Sequence, residues 1–319
     1  VGIYTSWFTM ADRAAAAQLA LGLLSFALLL AMLERTSRGG AKYANGRRNA
    51  PMQRIKLGGT QRIMASAFCL TPVILGVLLP VIALSTMAIG SEQDLLSPRY
   101  LGFIKNSLML ASIAAVLAVI AALVLGTLHR VRANKWTGTS LYLTRIGYAV
   151  PGGVIAVGLL VPFAAFDNSL DAWMRATFDI STGLLFTGSI WLLIFAYLIR
   201  FLAAAIGAYE GGIATVGPNM DAAARTLGQD MPGLVRRVHI PLLRTSLLTA
   251  GLIVFVDVMK ELPATLIMRP FNYDTLAVQA YRLASDERLE GAAVPSLVIA
   301  AIGLIPVILL CRRIGKGRA

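Results

Sequence analysis

The sequence predicts an all-α fold, a polytopic transmembrane helix bundle of about seven spans with its N-terminus outside and its C-terminus in the cytoplasm. Three observations carry this. Of 319 residues, 57% are hydrophobic and only 14% charged, where soluble domains carry about 25% charged residues. The apolar residues gather into seven runs, each near the length of about 20 residues that a helix needs to cross the hydrocarbon layer. The basic residues behind the formal charge of +13 fall in alternate loops between those runs, as cytoplasmic loops require. They form no single patch of the kind that binds nucleic acid, so the lipid bilayer is an expected partner and nucleic acid is not.

In chain order the expected spans are Ala14–Leu33, Met64–Met87, Phe103–Leu128, Leu141–Phe166, Leu184–Gly207, Leu242–Leu262 and Ala293–Cys311. The loop after the first carries Arg35, Arg38, Lys42, Arg47, Arg48, Arg54, Lys56 and Arg62 against Glu34, which assigns it to the cytoplasm. The loop with Glu92, Asp94 and Arg99 is then external, and Arg130, Arg132, Lys135 and Arg145 mark the next as cytoplasmic. Asp167, Asp171, Arg175 and Asp179 make the fourth loop acidic and external. Arg200, Arg225, Arg236, Arg237 and Arg244 return the chain to the cytoplasm. Pro263 to Gly291 balances acidic and basic residues and reads as external, and Arg312, Arg313, Lys316 and Arg318 anchor a cytoplasmic tail.

Val1 is not a start methionine, and no charged segment with a short apolar core and cleavage site follows it, so the chain reads as beginning inside a longer protein. Residues 1–34 are expected to close a preceding module and 63–319 to form a six-helix domain. Between them, 35–62 is basic and rich in Gly and Asn: a flexible linker, or simply a long solvated loop. Cys69 and Cys311 both fall in apolar runs, where neither a disulfide nor a thiolate metal site is expected.

The longest polar interval in the second half is Asn219–Arg244, within a loop spanning 217–244. Gly217 and Pro218 break the chain before a short helix expected over Met220–Leu227, with Asp221 in its first turn, where the helix dipole favours a carboxylate. Gly228 is placed to stop that helix in a left-handed cap. Asp230 is the expected N-cap of a second short helix ending before Pro241. This stretch resembles the EAA signature of binding-protein-dependent ABC importer permeases, a cytoplasmic loop that fits into a cleft on the ATPase. Aligned on Gly228, the motif's Glu-Ala-Ala falls on Ala222, Ala223 and Ala224 beside Arg225, and its Ile-x-Leu-Pro on Val238, His239, Ile240 and Pro241. The glycine-to-proline spacing is kept. Ala222 stands in place of the glutamate, with Asp221 one residue earlier, about 100° round the helix.

A second resemblance runs from Asp257 to Glu287, through Lys260, Glu261, Pro263 and the Arg269-Pro-Phe271 and Thr275-Leu-Ala277 segments. It is similar to the last part of iron(III) importer permeases, and Asn106-Ser107-Leu108 is similar to the start of the permease core. Asp257, Lys260 and Glu261 at i, i+3 and i+4 would share one helical face. Such charges suit a pathway or gate, and equally a buried pair that locks neighbouring helices. Pro151-Gly152-Gly153 permits a kink lining a path or close packing through small residues. Gly207, Gly211 and Gly212 form no phosphate cradle, since no strand precedes them. His129 and His239 read as solvated loop residues, and Tyr273, Asp274 and Tyr281 as surface residues, so no metal site is expected.

The resemblance implies a non-catalytic permease subunit, the C-terminal half of a fused chain in a bacterial inner membrane, working with a cytoplasmic ATPase dimer that binds the ATP. It also implies another permease half and a periplasmic solute-binding protein, with ferric iron as cargo and thiamine, a polyamine or a phosphonate as alternatives. A secondary transporter or membrane receptor is the rival class.

Overall fold

The computed structural model describes residues 2–38, 57–91 and 93–316; most of the expected linker and the last three residues of the tail lie outside them. The described residues are mostly helical, with no strand among them, and a short helical segment over residues 2–9 precedes the helices named below. In chain order the helices are α1 Arg13–Arg38, α2 Gly59–Ile89, α3 Pro98–Val131, α4 Lys135–Ala149, α5 Gly152–Phe178, α6 Ile190–Ile213, α7 Pro218–Thr226, α8 Met231–Met259, α9 Pro263–Met268, α10 Leu276–Ser285 and α11 Leu289–Lys316. Seven of them, α1, α2, α3, α5, α6, α8 and α11, are long and apolar enough to cross a bilayer, the expected number.

Three expected boundaries are overturned. The run Leu141–Phe166 is not one span. Val150 is extended and Pro151 caps α5, because the residue before a proline is pushed out of the helical region. The span is α5, and it carries Asp167, Asp171 and Arg175 inside the helix instead of in an acidic loop. These carboxylates receive the amides of the returning chain: Phe186 and Thr187 donate to the fully buried Asp167, at 3.1 and 2.7 Å to its Oδ2, and Thr182 and Gly183 to Asp171 at 2.8 and 2.9 Å.

The second short helix does not end before Pro241. It passes through a π-turn at Val235–His239 and continues as α8, since the widened turn places Pro241 in the first turn of the regular helix, where a missing N–H costs least. At the other end α8 stops at Met259, short of the expected Leu262. Finally, the expected external loop Pro263–Gly291 is largely helical: it folds as α9 and α10, with Thr265, Leu276 and Val278 fully buried.

The core is built by α3, α6 and α8 packing against one another. On α3 the buried positions Ala111, Ala114, Ala115, Ala118, Ala122 and Gly126 form a small-residue stripe at helical spacing. Without a hydrophobic driving force between helices in lipid, such a stripe lets backbones approach closely and gain dispersion contact. Facing it are large α6 residues, with Tyr197, Phe201 and Tyr209 almost fully enclosed. The outer helices show the opposite pattern. No residue of α2 is buried, and Phe68 is 82% exposed, an apolar surface suited to hydrocarbon or to another membrane subunit.

Candidate coupling site

Between α6 and α8 the chain leaves the bundle and returns through α7. Gly217 and Pro218 start α7, and its end is closed by paired hydrogen bonds, Gly228 N–H to Arg225 O at 2.9 Å and Gln229 N–H to Ala224 O at 3.0 Å. This double closure needs a left-handed residue at the turn, which Gly228 supplies with φ +79°. Asp230 then caps α8, its Oδ1 accepting from Gly233 N–H at 2.8 Å, and the fully buried Leu234 roots the new helix in the bundle.

The sequence-predicted residues of this element divide into two faces. Ala222, Ala223, Arg225 and Gly228 are exposed, together with Met220 and Leu227, the latter 79% exposed. Ala224 is buried, so the small face does not run unbroken from Ala222 to Ala224. Val238 is half-buried, whereas Ile240 and Pro241 are exposed on α8.

Asp221 faces inward, where it joins four elements. Arg130, in the last turn of α3, donates its Nε–H to Asp221 Oδ2 at 2.5 Å, its Nη1 to Ile213 O at 3.0 Å and its Nη2 to Val216 O at 2.8 Å. One guanidinium therefore clamps the end of α6, the segment after it and α7. His239, in the π-turn of α8, lies 3.0 Å from Asp221 Oδ1 through Nε2, and 3.3 Å from Thr127 Oγ1 through Nδ1; Thr127 is in turn 3.1 Å from Tyr209 OH on α6. An ionised carboxylate only accepts, so Nε2–H donates to Asp221. With a neutral ring, Thr127 O–H donates to Nδ1 and Tyr209 O–H to Thr127, leaving every hydrogen in use.

Burial by itself raises the Asp221 carboxyl, but the hydrogen bonds from Arg130 and His239, with the charge of Arg130, outweigh it and hold the group below its ordinary value of 3.8. The expectation of a solvated His239 is overturned: it is 0% exposed, because the π-turn rotates its side chain into the bundle. Arg130, Thr127 and Tyr209 carry no local motif, and only the i, i+3 spacing of Thr127 and Arg130 on one face of α3 signals them.

The second group of predicted residues lies at the far end of α8. Asp257, Lys260 and Glu261 do not share one helical face, since α8 has ended by Lys260. Asp257 and Lys260 pair at 3.0 Å with Lys260 63% exposed, whereas Glu261 turns to Arg200 of α6 at 2.7 Å. Glu261 Oε1 also accepts from Ala264 N–H at 3.1 Å, in the first turn of α9, which Pro263 opens. Gly152, the first residue of α5, abuts both charged groups, and a Cβ there would collide with Arg200 and Glu261. The geometry is that of a joint among α5, α6 and α9. Asn106 donates Nδ2–H to Asp274 O at 3.0 Å, and Ser107 Oγ accepts from Leu276 N–H at 2.9 Å, which fixes α10 to α3. Asp274 is itself paired with Arg269 and Arg282. Among the described residues no three His, Cys, Asp or Glu side chains are grouped to hold a metal.

No protein-family profile matches the chain. Its homologues are ABC transporter permeases. It is 26% identical over 215 residues to "Fe(3+)-transport system permease protein FbpB 2" of Haemophilus influenzae, covering 66% of this chain and 39% of that protein. It is 28% identical over 217 residues to "Probable ABC transporter permease protein y4fN" of Sinorhizobium fredii, covering 67% and 36%. To "Putative 2-aminoethylphosphonate transport system permease protein PhnV" of Salmonella typhimurium it is 25% identical over 206 residues, covering 65% and 70%. The chain thus matches well under half the length of the first two. Its fold is shared with a chain of the bacterial ABC transporter involved in the import of the acidic polysaccharide alginate, at a TM-score of 0.60 and 16% identity over 80% of this chain and 96% of that one.

Proposed function

We propose that this chain is the C-terminal half of a permease in an ATP-driven importer of a bacterial inner membrane, with α7 and the start of α8 as the element that a cytoplasmic ATPase grips. The N-terminus is then outside and the C-terminus inside. The observation that carries the proposal is the junction at Asp221. A force applied to the exposed face of Met220, Ala222, Ala223 and Leu227 passes through Asp221 to Arg130 and His239, and so to α3, α6 and α8 together. A surface helix that only connected two spans would have no use for such a junction.

In this reading the ATPase binds and hydrolyses ATP, and this chain performs no covalent chemistry. The two nucleotide states of the ATPase hold α7 with different affinity, and that difference shifts the bundle between inward-open and outward-open states. Cargo arrives on a periplasmic binding protein at the opposite face, a partner for which the alginate transporter offers a precedent, since it has been solved with its substrate-bound periplasmic protein. The joint at Arg200 and Glu261 acts as a fixed pivot among α5, α6 and α9, because Glu261 is only 5% exposed and already occupied.

Ferric iron is the favoured cargo, on the resemblance at Asp257–Glu287 and the FbpB 2 relative. A phosphonate is the second reading, since PhnV is matched over 70% of its own length. Proteoliposomes holding the full permease, its ATPase and its binding protein discriminate these. ATP-dependent uptake of ferric iron is expected. Uptake of 2-aminoethylphosphonate instead moves the assignment to the second reading, and solute uptake driven by an ion gradient without ATP overturns the importer assignment.

A further inference from the structure

The end of α3 remote from the Asp221 junction borders a polar cavity of about 210 Å³ between the first turns of α3, the helix α10 and the start of α11. With 34 residues in α3, the two sites lie roughly 50 Å apart at 1.5 Å per residue, at opposite faces of the bilayer. Three guanidiniums line the cavity, those of Arg99, Arg282 and Arg288, against a single carboxylate, Asp286.

Local carboxylates compensate this charge only in part, and Arg288 also borders a second polar cavity with Glu287 and Glu290. Arg282 shares Asp274 with Arg269. Arg99 only overlies the Phe103 ring, 5.8 Å from its centroid, and neither Arg99 nor Arg288 is within ion-pair distance of a carboxylate among the described residues. Gln279, 8% exposed, presents its amide in the same wall. Tyr100, also in the wall, is 3% exposed, and its hydroxyl has no hydrogen-bond partner. An unpartnered buried hydroxyl is unfavourable, and here it sits in the wall of a polar cavity.

We propose that this cavity is an oxyanion site that takes a phosphate group, held by Arg99, Arg282 and Arg288. Guanidinium forks match the geometry of tetrahedral oxyanions and bind them through paired, charge-assisted hydrogen bonds, and the open cavity admits a small anion from solution. A phosphate of this kind comes either from solute at the membrane surface or from the headgroup of an anionic lipid whose chains lie along the exposed apolar flank of α2. The site is independent of the cargo assignment and of ATPase coupling.

The test uses the complete transporter in nanodiscs. Inorganic phosphate is titrated calorimetrically into discs of phosphatidylcholine alone, and lipid retention is read by native mass spectrometry from discs that also contain phosphatidylglycerol. Saturable phosphate binding assigns the solute source, and selective retention of phosphatidylglycerol assigns the lipid source. Either is expected to weaken about tenfold or more in the Arg99→Gln/Arg288→Gln double variant and to be retained in part in Arg99→Lys/Arg288→Lys, which keeps the charge without the fork, with both variants monodisperse. Absence of both signals in the wild type, or signals unchanged in the glutamine variant, overturns the proposal.

Discussion

Replacing Arg130 by Gln removes the group on which the Asp221 junction depends. The side chain makes a 2.5 Å charged bond to Asp221 and bonds of 3.0 and 2.8 Å to Ile213 O and Val216 O. Gln cannot replace all three bonds, so Asp221 Oδ2 loses its charged donor where Asp221 is only 13% exposed and Val216 O loses the guanidinium, while Ile213 O keeps the Val216 N–H at 3.0 Å. Breaking a buried pair by removing one partner costs about 3–5 kcal/mol. Arg130 keeps 18% exposure, so about 3 kcal/mol is the appropriate figure, a roughly 150-fold shift towards a detached α7. Uptake and ATP hydrolysis measured in parallel in proteoliposomes should separate, with uptake falling more than about tenfold while hydrolysis persists. Hydrogen exchange across Met220–Thr226 should quicken as α7 loosens. Arg130→Lys should restore part of the uptake, since an ammonium reaches Asp221 but lacks the fork that also spans two carbonyls. If Arg130→Gln matches the wild type in both uptake and α7 exchange, α7 is not held as argued and the reasoning fails.

Three further outcomes are expected. Gly228→Val forces a β-branched residue into the left-handed turn at φ +79°, at a cost of at least about 1–2 kcal/mol, and should abolish uptake while circular dichroism of the helices stays unchanged; normal uptake would refute the role of the turn. Glu261→Gln leaves Arg200 facing a neutral group and should lower thermal stability by about 3 kcal/mol with uptake falling in step; full uptake at normal expression would rule out both a gate and a pivot. Because Asp221 is held below its ordinary value of 3.8, its stabilisation is fully present above 3.8 and is lost as pH falls through the lowered folded value. The difference in melting midpoint between wild type and Asp221→Asn should therefore not shrink between neutral pH and about 5, and should fall only in more acid solution; a difference that shrinks between neutral pH and 5 would contradict the assignment.

The number of spans was legible because hydrocarbon thickness imposes a length that composition alone reveals, although the run Leu141–Phe166 misplaced one of them; Gly217, Gly228 and Asp230 announce their turn and cap locally. The rest required the third dimension. Asp167 and Asp171 resemble loop residues until the amides they receive, 11 to 20 positions later, are seen folded back on α5. The Asp221 junction joins residues 82, 91 and 112 positions apart, each of a type that is ordinary in a cytoplasmic loop. His239 sits beside two arginines and resembles them in composition, yet the π-turn sends it inward. Glu261 fits one face with Asp257 only if the helix continues, and the approach to Pro263 ends it first.

The central claim, that the exposed face of α7 is gripped by an ATPase, is tested most directly by cross-linking. In a background with Cys69 and Cys311, both free and exposed, replaced by serine, Ala223→Cys and Leu227→Cys place single thiols on that face. Treated with a short bifunctional reagent in native membranes, both are predicted to capture the ATPase subunit, with a yield that changes when ATP is added. Labelling of these thiols by an impermeant reagent from the periplasmic side, with no ATPase captured, would contradict the account.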